Sequence, residues 1–157
     1  MIQWAKYFHI AAVFILLATH GTSMLVLYRI RGERDRAKIL SMLNLSGEAA
    51  TPTYVALGLV VFTGVWNMYA IDAWSKAWVW LAIVILVVMV GLMTMVAKPY
   101  FVRVKAACEV RPSGVPRVSD EELTEITRSS SAHVITAIGV IGLLAILYLM
   151  VFQPWSF

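Results

Sequence analysis

Three histidines carry most of the chemistry open to this sequence. His9, His20 and His133 each lie inside a long apolar stretch that holds no Asp, Glu, Lys or Arg. A polar ring in hydrocarbon is costly unless it finds a partner, so the placement of all three is informative. Neutral imidazole suits haem iron, and two histidines facing across a membrane four-helix bundle are a common way to hold b-type haem. His9 and His20 stand 11 residues apart on one helix. At about 100° per residue they fall within about 20° of each other, on a stripe shared with Val13, Leu16 and Met24. Their separation of about 16 Å along the axis, at 1.5 Å per residue, is too long for one metal ion. His133 matches His20 in depth to within about two helical turns, so His20 and His133 form the pair that could ligate one iron across the bundle. Methionine is the other candidate ligand, from Met24, Met68, Met89, Met93 or Met95. His20 and Met24, at i and i+4 on one face, also suit copper.

Each of these residues has a packing role as an alternative. A lone intramembrane histidine often serves as a hydrogen-bonding member of a helix seam, and His133 stands where the fourth span begins. Methionines commonly fill cores. Gly139 and Gly142 with Thr136 read as a close-packing surface, and Asn67 as a bridge between helices. Around His20 the run Ala18-Thr19-His20-Gly21-Thr22-Ser23-Met24 is small and polar, with hydroxyls that can hold a ring in place. No nucleophile–base pair, phosphate loop or zinc pattern is present. The spans offer no carboxylate or lysine for a proton relay. Cys108 reads as a plain thiol.

Four membrane spans position these side chains. Of 157 residues, 61% are hydrophobic and 14% charged, whereas soluble domains run nearer half and a quarter. That excludes a soluble globular domain, a disordered chain, a disulfide scaffold and a multi-domain enzyme. The predicted spans, in one transmembrane domain, are 7–27, 53–71, 77–97 and 132–152, each near the roughly 20 residues a bilayer core requires. Between them lie two long loops, 29–52 and 98–131, and a tight turn at 72–76. Of the 13 basic residues, Arg29, Arg31, Arg34, Arg36 and Lys38 fall in the first loop. Lys98, Arg103, Lys105, Arg111, Arg117 and Arg128 fall in the other, leaving only Lys6 and Lys76 on the opposite side. This asymmetry makes the long loops cytoplasmic and the bundle N-out/C-out, and it accounts for the net charge without nucleic acid. Trp4, Trp66, Trp74, Trp78, Trp80 and Trp155 belong to an outer aromatic belt, and Tyr28, Tyr54 and Tyr100 to the inner ends.

The first loop is expected to hold a short interfacial helix from Arg34 to Leu45. There Ile39, Leu40, Met42 and Leu43 share a face opposite charges, until Gly47 ends the pattern. Ser119 with Glu122 reads as a capping box. The helix it opens, near Asp120, is expected to run unbroken into the fourth span.

The run Trp4-Ala5-Lys6-Tyr7-Phe8-His9-Ile10-Ala11-Ala12, with Tyr28-Arg29, resembles the first helix of HemJ-type protoporphyrinogen oxidases and of CopD-like copper-resistance membrane domains. The chain as a whole is similar to a related family of small bacterial integral membrane proteins. The residues that carry this are Thr63-Gly64-Val65-Trp66, Lys98-Pro99 closing the third helix, and Gln153-Pro154-Trp155. The resemblance implies a multi-pass protein of the bacterial inner membrane with His9 as a haem ligand. HemJ-type relatives place an opposing lysine early in the third helix. The matching stretch here, Trp78-Val79-Trp80-Leu81-Ala82, holds neither lysine nor histidine, so no enzymatic activity is assigned. The expected function is a haem b-binding membrane protein in electron transfer, haem handling or redox sensing. Its sites would be His9, by resemblance, and His20 with His133, by depth. Two alternatives stand beside it. One is a cofactor-free structural or accessory subunit, partnered by other membrane subunits or by copies of itself; the other is a copper-handling protein using His20 and Met24.

Overall fold

The protein is seen in a computed structural model that describes residues 2–154, and no strand occurs among them. Five helices follow in order: α1 Ile2–Arg29, α2 Arg36–Ala70, α3 Ala77–Cys108, α4 Asp120–Arg128 and α5 Ser131–Phe152. α1, α2, α3 and the α4–α5 segment are each long and apolar enough to cross a membrane. α1 packs along α2 and α3 along α5, while contacts between these two pairs are lighter.

Buried side chains concentrate at the two ends. At the end rich in Lys and Arg, Val26, Leu27, Ile39, Val104, Leu123 and Ile135 join α1, α2, α3, α4 and α5 in one core. At the end rich in tryptophan, Met68, Ala73, Trp78, Val79 and Leu149 form a smaller one. In the most apolar window of each span only 11–17% of residues are buried inside the protein. Leu25 and Met95, 75% and 76% exposed, are the extremes of the surface left for lipid. Hydrocarbon replaces a protein interior as solvent there, so the middle of the bundle needs no core of its own.

Local chemistry explains the ends. α2 closes in a Schellman pattern: the Ala73 N–H donates to the Met68 carbonyl at 2.9 Å, with Asp72 left-handed at φ 50°. α4 begins on Ser119, whose hydroxyl accepts from the Glu122 N–H at 3.1 Å, as the capping box requires. Arg36 ties the basic end together. Its guanidinium donates to the Ala107 and Val118 carbonyls, each at 2.8 Å, and to Asp120 at 2.7 Å.

Several expectations are corrected. The helix from Arg34 to Leu45 does not end at Gly47. α2 runs unbroken from Arg36 to Ala70, capped by Asp35, which accepts from the Ala37 N–H at 2.9 Å. Gly47 costs about 1 kcal/mol against alanine, and burial of Ile39 and Leu43 in the basic-end core outweighs it. Lys98-Pro99 does not close the third helix either, because α3 continues to Cys108 and buries Tyr100, Val104 and Ala107. The segment from Asp120 is not continuous: Ser129 turns extended at ψ 155°, separating α4 from α5. The stretches 29–52 and 98–131 are therefore helical for much of their length. Two belt residues are core residues, since Trp78 and Tyr100 are both 5% exposed. The Tyr100 hydroxyl donates to the Thr127 carbonyl at 3.1 Å. Trp155 lies outside the described residues.

Candidate functional site

The three histidines have three different environments. His9 lies at the α1–α2 seam, with Nδ1 3.0 Å from the Thr63 hydroxyl. The single proton of that hydroxyl goes to the Leu59 carbonyl at 2.6 Å, so toward His9 the oxygen accepts and Nδ1 donates. The neutral ring then carries its lone pair on Nε2. A Cβ on Gly64 would stand 3.4 Å from His9 Cε1 and 3.7 Å from Nδ1. The ring thus meets α2 by its Nδ1–Cε1 edge, at a position where only hydrogen separates it from the backbone. One turn further along α2, Asn67 Nδ2 donates to the Ala5 carbonyl and to the Thr63 carbonyl, both at 3.1 Å. Asn67 is therefore the helix bridge expected of it. Its Oδ1 is buried with no hydrogen-bond partner among the described residues.

His20 approaches a different pair of helices. Its Nε2 stands 3.5 Å from the point where a Cβ on Gly139 of α5 would lie, and Met93 Cε of α3 stands 3.1 Å from the same point. The ring makes no hydrogen bond among the described residues. A Cβ on Gly142, one turn on, would come within 2.6 Å of Met89 Sδ. Gly139 and Gly142 are thus the close-packing surface the sequence suggests, with Met89 and Met93 laid against it. Among the candidate methionines, Met93 comes to His20 from another helix, whereas Met24 shares α1 with it.

His133 is exposed at the start of α5. Its Nε2 lies 3.3 Å from Arg31 Nη2. A guanidinium can only donate, so that ring nitrogen accepts and its lone pair is committed to Arg31. Arg31 also donates to the Ser129 carbonyl at 2.8 Å, holding the α4–α5 break, and Tyr28 sets its ring edge-on to His133. Gly139, where His20 sits, is six residues beyond His133, or about 9 Å along α5. His20 and His133 therefore do not meet at one point. That offset is within the two helical turns of depth expected of the pair, but His133 turns its Nε2 to Arg31 while His20 faces Gly139 and Met93.

Among the described residues, no group of three or more His, Cys, Asp or Glu stands where it could hold a metal ion. Sequence reasoning missed Thr63 and Arg31 as the partners of His9 and His133. A signal for Thr63 existed: it lies seven residues before the end of α2, as His9 lies seven after the start of α1. Nothing comparable marked Arg31, one of two arginines in the short connection between α1 and α2. No family model matches the chain, and no curated protein or solved structure does.

Proposed function

We propose that the chain is a haem b-binding protein of the bacterial cytoplasmic membrane, with His9 as an axial ligand, serving electron transfer, haem handling or redox sensing. The positive-inside rule orients it with the basic end in the cytoplasm and His9 in the outer half. One observation carries the reading: His9 Nδ1 is hydrogen-bonded to the Thr63 hydroxyl, and with that hydroxyl's proton on the Leu59 carbonyl Nε2 is left as the lone-pair nitrogen. Ligating histidines are commonly held this way through their other nitrogen, which fixes tautomer and ring rotation and raises basicity. Of the other two histidines, His133 has its Nε2 committed to Arg31, and His20 has no such orienting bond.

When bound, haem supplies one-electron chemistry at its iron. The residues of this chain would do the rest. Thr63 orients the ring, Gly64 admits it close to α2, and Asn67 locks the two helices beside it. The similarity of the first-helix run to HemJ-type proteins, and the meeting of that run with Thr63-Gly64, support the same assignment.

The test is an absorption spectrum of detergent-purified protein, oxidised and then dithionite-reduced, with metal analysis on the same sample. A Soret band lost in His9→Ala and kept in His133→Ala is the expected result. A folded, colourless and metal-free protein would overturn the reading and favour an accessory subunit. So would a spectrum that His9→Ala leaves unchanged.

A separate observation favours a second reading, copper handling. His20 and Met93 converge on Gly139 from α1 and α3, and imidazole with thioether is a ligand set suited to Cu(I). Copper without a Soret band, lost in His20→Ala, is the result that reading requires.

A further inference from the structure

The basic end carries a feature that the histidines do not explain. A recess of about 600 Å³ opens between the last turns of α3, the 109–119 connection and α4. Arg103 and Ala107 line it from α3, Arg111 and Arg117 from the connection, and Glu122 and Ile126 from α4. Three guanidiniums thus face one carboxylate. Arg117 is paired with Glu109 at 3.1 Å, whereas Arg103 and Arg111 have no acidic partner among the described residues. Arg36 differs from them, since its guanidinium is spent on two carbonyls and Asp120.

The wall that presents two of these arginines is built in advance. The Arg111 N–H donates to the Val115 carbonyl at 2.9 Å, and the Gly114 N–H to the Arg111 carbonyl at 2.9 Å. The Arg117 N–H closes the turn on the Glu109 carbonyl at 3.1 Å, and Gly114 takes φ +81°, which a side chain would oppose. Binding there need not first order the loop.

We propose that this recess binds the phosphodiester headgroup of an anionic glycerophospholipid. Guanidinium groups match phosphate oxygens with paired hydrogen bonds, which suits Arg103 and Arg111 to this ligand. Depth favours a lipid over a free phosphate. Arg103 lies six residues, or about 9 Å of helix, past Ala97 at the end of the apolar run, which brings it into the headgroup layer. The surroundings favour it too. Val102, Val110 and Val115 are 58%, 55% and 54% exposed beside these arginines, and such a mixture of apolar and basic side chains suits the boundary between acyl chains and headgroups.

The test is native mass spectrometry of the purified chain titrated with phosphatidylglycerol, phosphatidylcholine or inorganic phosphate. Phosphatidylglycerol should bind in preference to phosphatidylcholine, and inorganic phosphate should not displace it. Arg103→Ala and Arg111→Ala should each weaken phosphatidylglycerol about fivefold, and together roughly thirtyfold, on the usual contribution of a basic residue at a membrane surface. Arg29→Ala, an exposed α1 position outside the recess, removes one surface charge but no headgroup contact and should weaken binding clearly less than either recess variant. The Arg103→Lys, Arg111→Lys pair keeps charge and fold while losing the fork, and should still lose part of the affinity. Equal loss in Arg29→Ala, displacement by inorganic phosphate, or unchanged binding in both double variants would each overturn the proposal.

Discussion

His9 Nδ1 and Thr63 Oγ1 stand 3.0 Å apart across the α1–α2 seam, although 54 residues separate them in the chain. The Thr63 hydroxyl gives its one proton to the Leu59 carbonyl, so toward His9 it accepts and Nδ1 is the protonated nitrogen. Thr63→Val keeps the shape and removes the hydroxyl acceptor, leaving His9 the Val60 backbone as its partner. It should cost about 0.5–1.5 kcal/mol, read as a lower thermal midpoint in detergent, while Thr63→Ser should recover most of the loss.

At Gly142 the Met89 side chain of α3 lies directly against the α5 backbone. An added methyl would meet Met89 Sδ at 2.6 Å, whereas at Gly58 it would meet nothing within 4 Å. Gly142→Ala should therefore destabilise the protein by about 1–3 kcal/mol, the usual range for overpacking. Gly58→Ala should be neutral or slightly stabilising through helix propensity. Shortening the opposing side chain, as in Gly142→Ala with Met89→Ala, should recover part of the loss. Thermal unfolding of the four proteins side by side decides the matter.

Arg36 joins the starts of α2 and α4 to the end of α3. Its side chain is 14% exposed, but that of Asp120 is 85% exposed, so the ion pair itself sits in water and contributes little. The two carbonyl acceptors carry the interaction. Arg36→Ala should cost about 2–4 kcal/mol by leaving both carbonyls unpaired, and Asp120→Asn less than about 1 kcal/mol. A loss of similar size in both variants would contradict this division.

Cys108 reports on the same region. It is 0% exposed, in the core with Ile39, Val104 and Leu123. A maleimide probe should label it slowly in the native protein and fast after denaturation. Arg36→Ala should speed native labelling by opening the contact between α2 and α3, and His9→Ala, at the other end of the bundle, should not.

Reading the sequence alone goes far for some features and stops abruptly for others. The four spans, the gathering of basic residues at one end and the Ser119 cap were legible. Each depends on residues close together in the chain, weighed against hydrocarbon, water or their own backbone. Gly47, Pro99 and Ser129 misled for a related reason. Their local preferences amount to a few kcal/mol at most, and burial of Ile39, Val104 or Leu123 in the basic-end core shifts the balance either way. Residue type alone marked all three histidines as significant, but it could not pair them. Whether His9 meets Thr63, His20 meets Gly139 and Met93, or His133 meets Arg31 depends on how each helix is rotated and which helix it packs on. Those choices are made between segments up to 102 residues apart. Span formation is set by each segment against its solvent, whereas partner choice is set by segments against one another, and only the tertiary structure decides that.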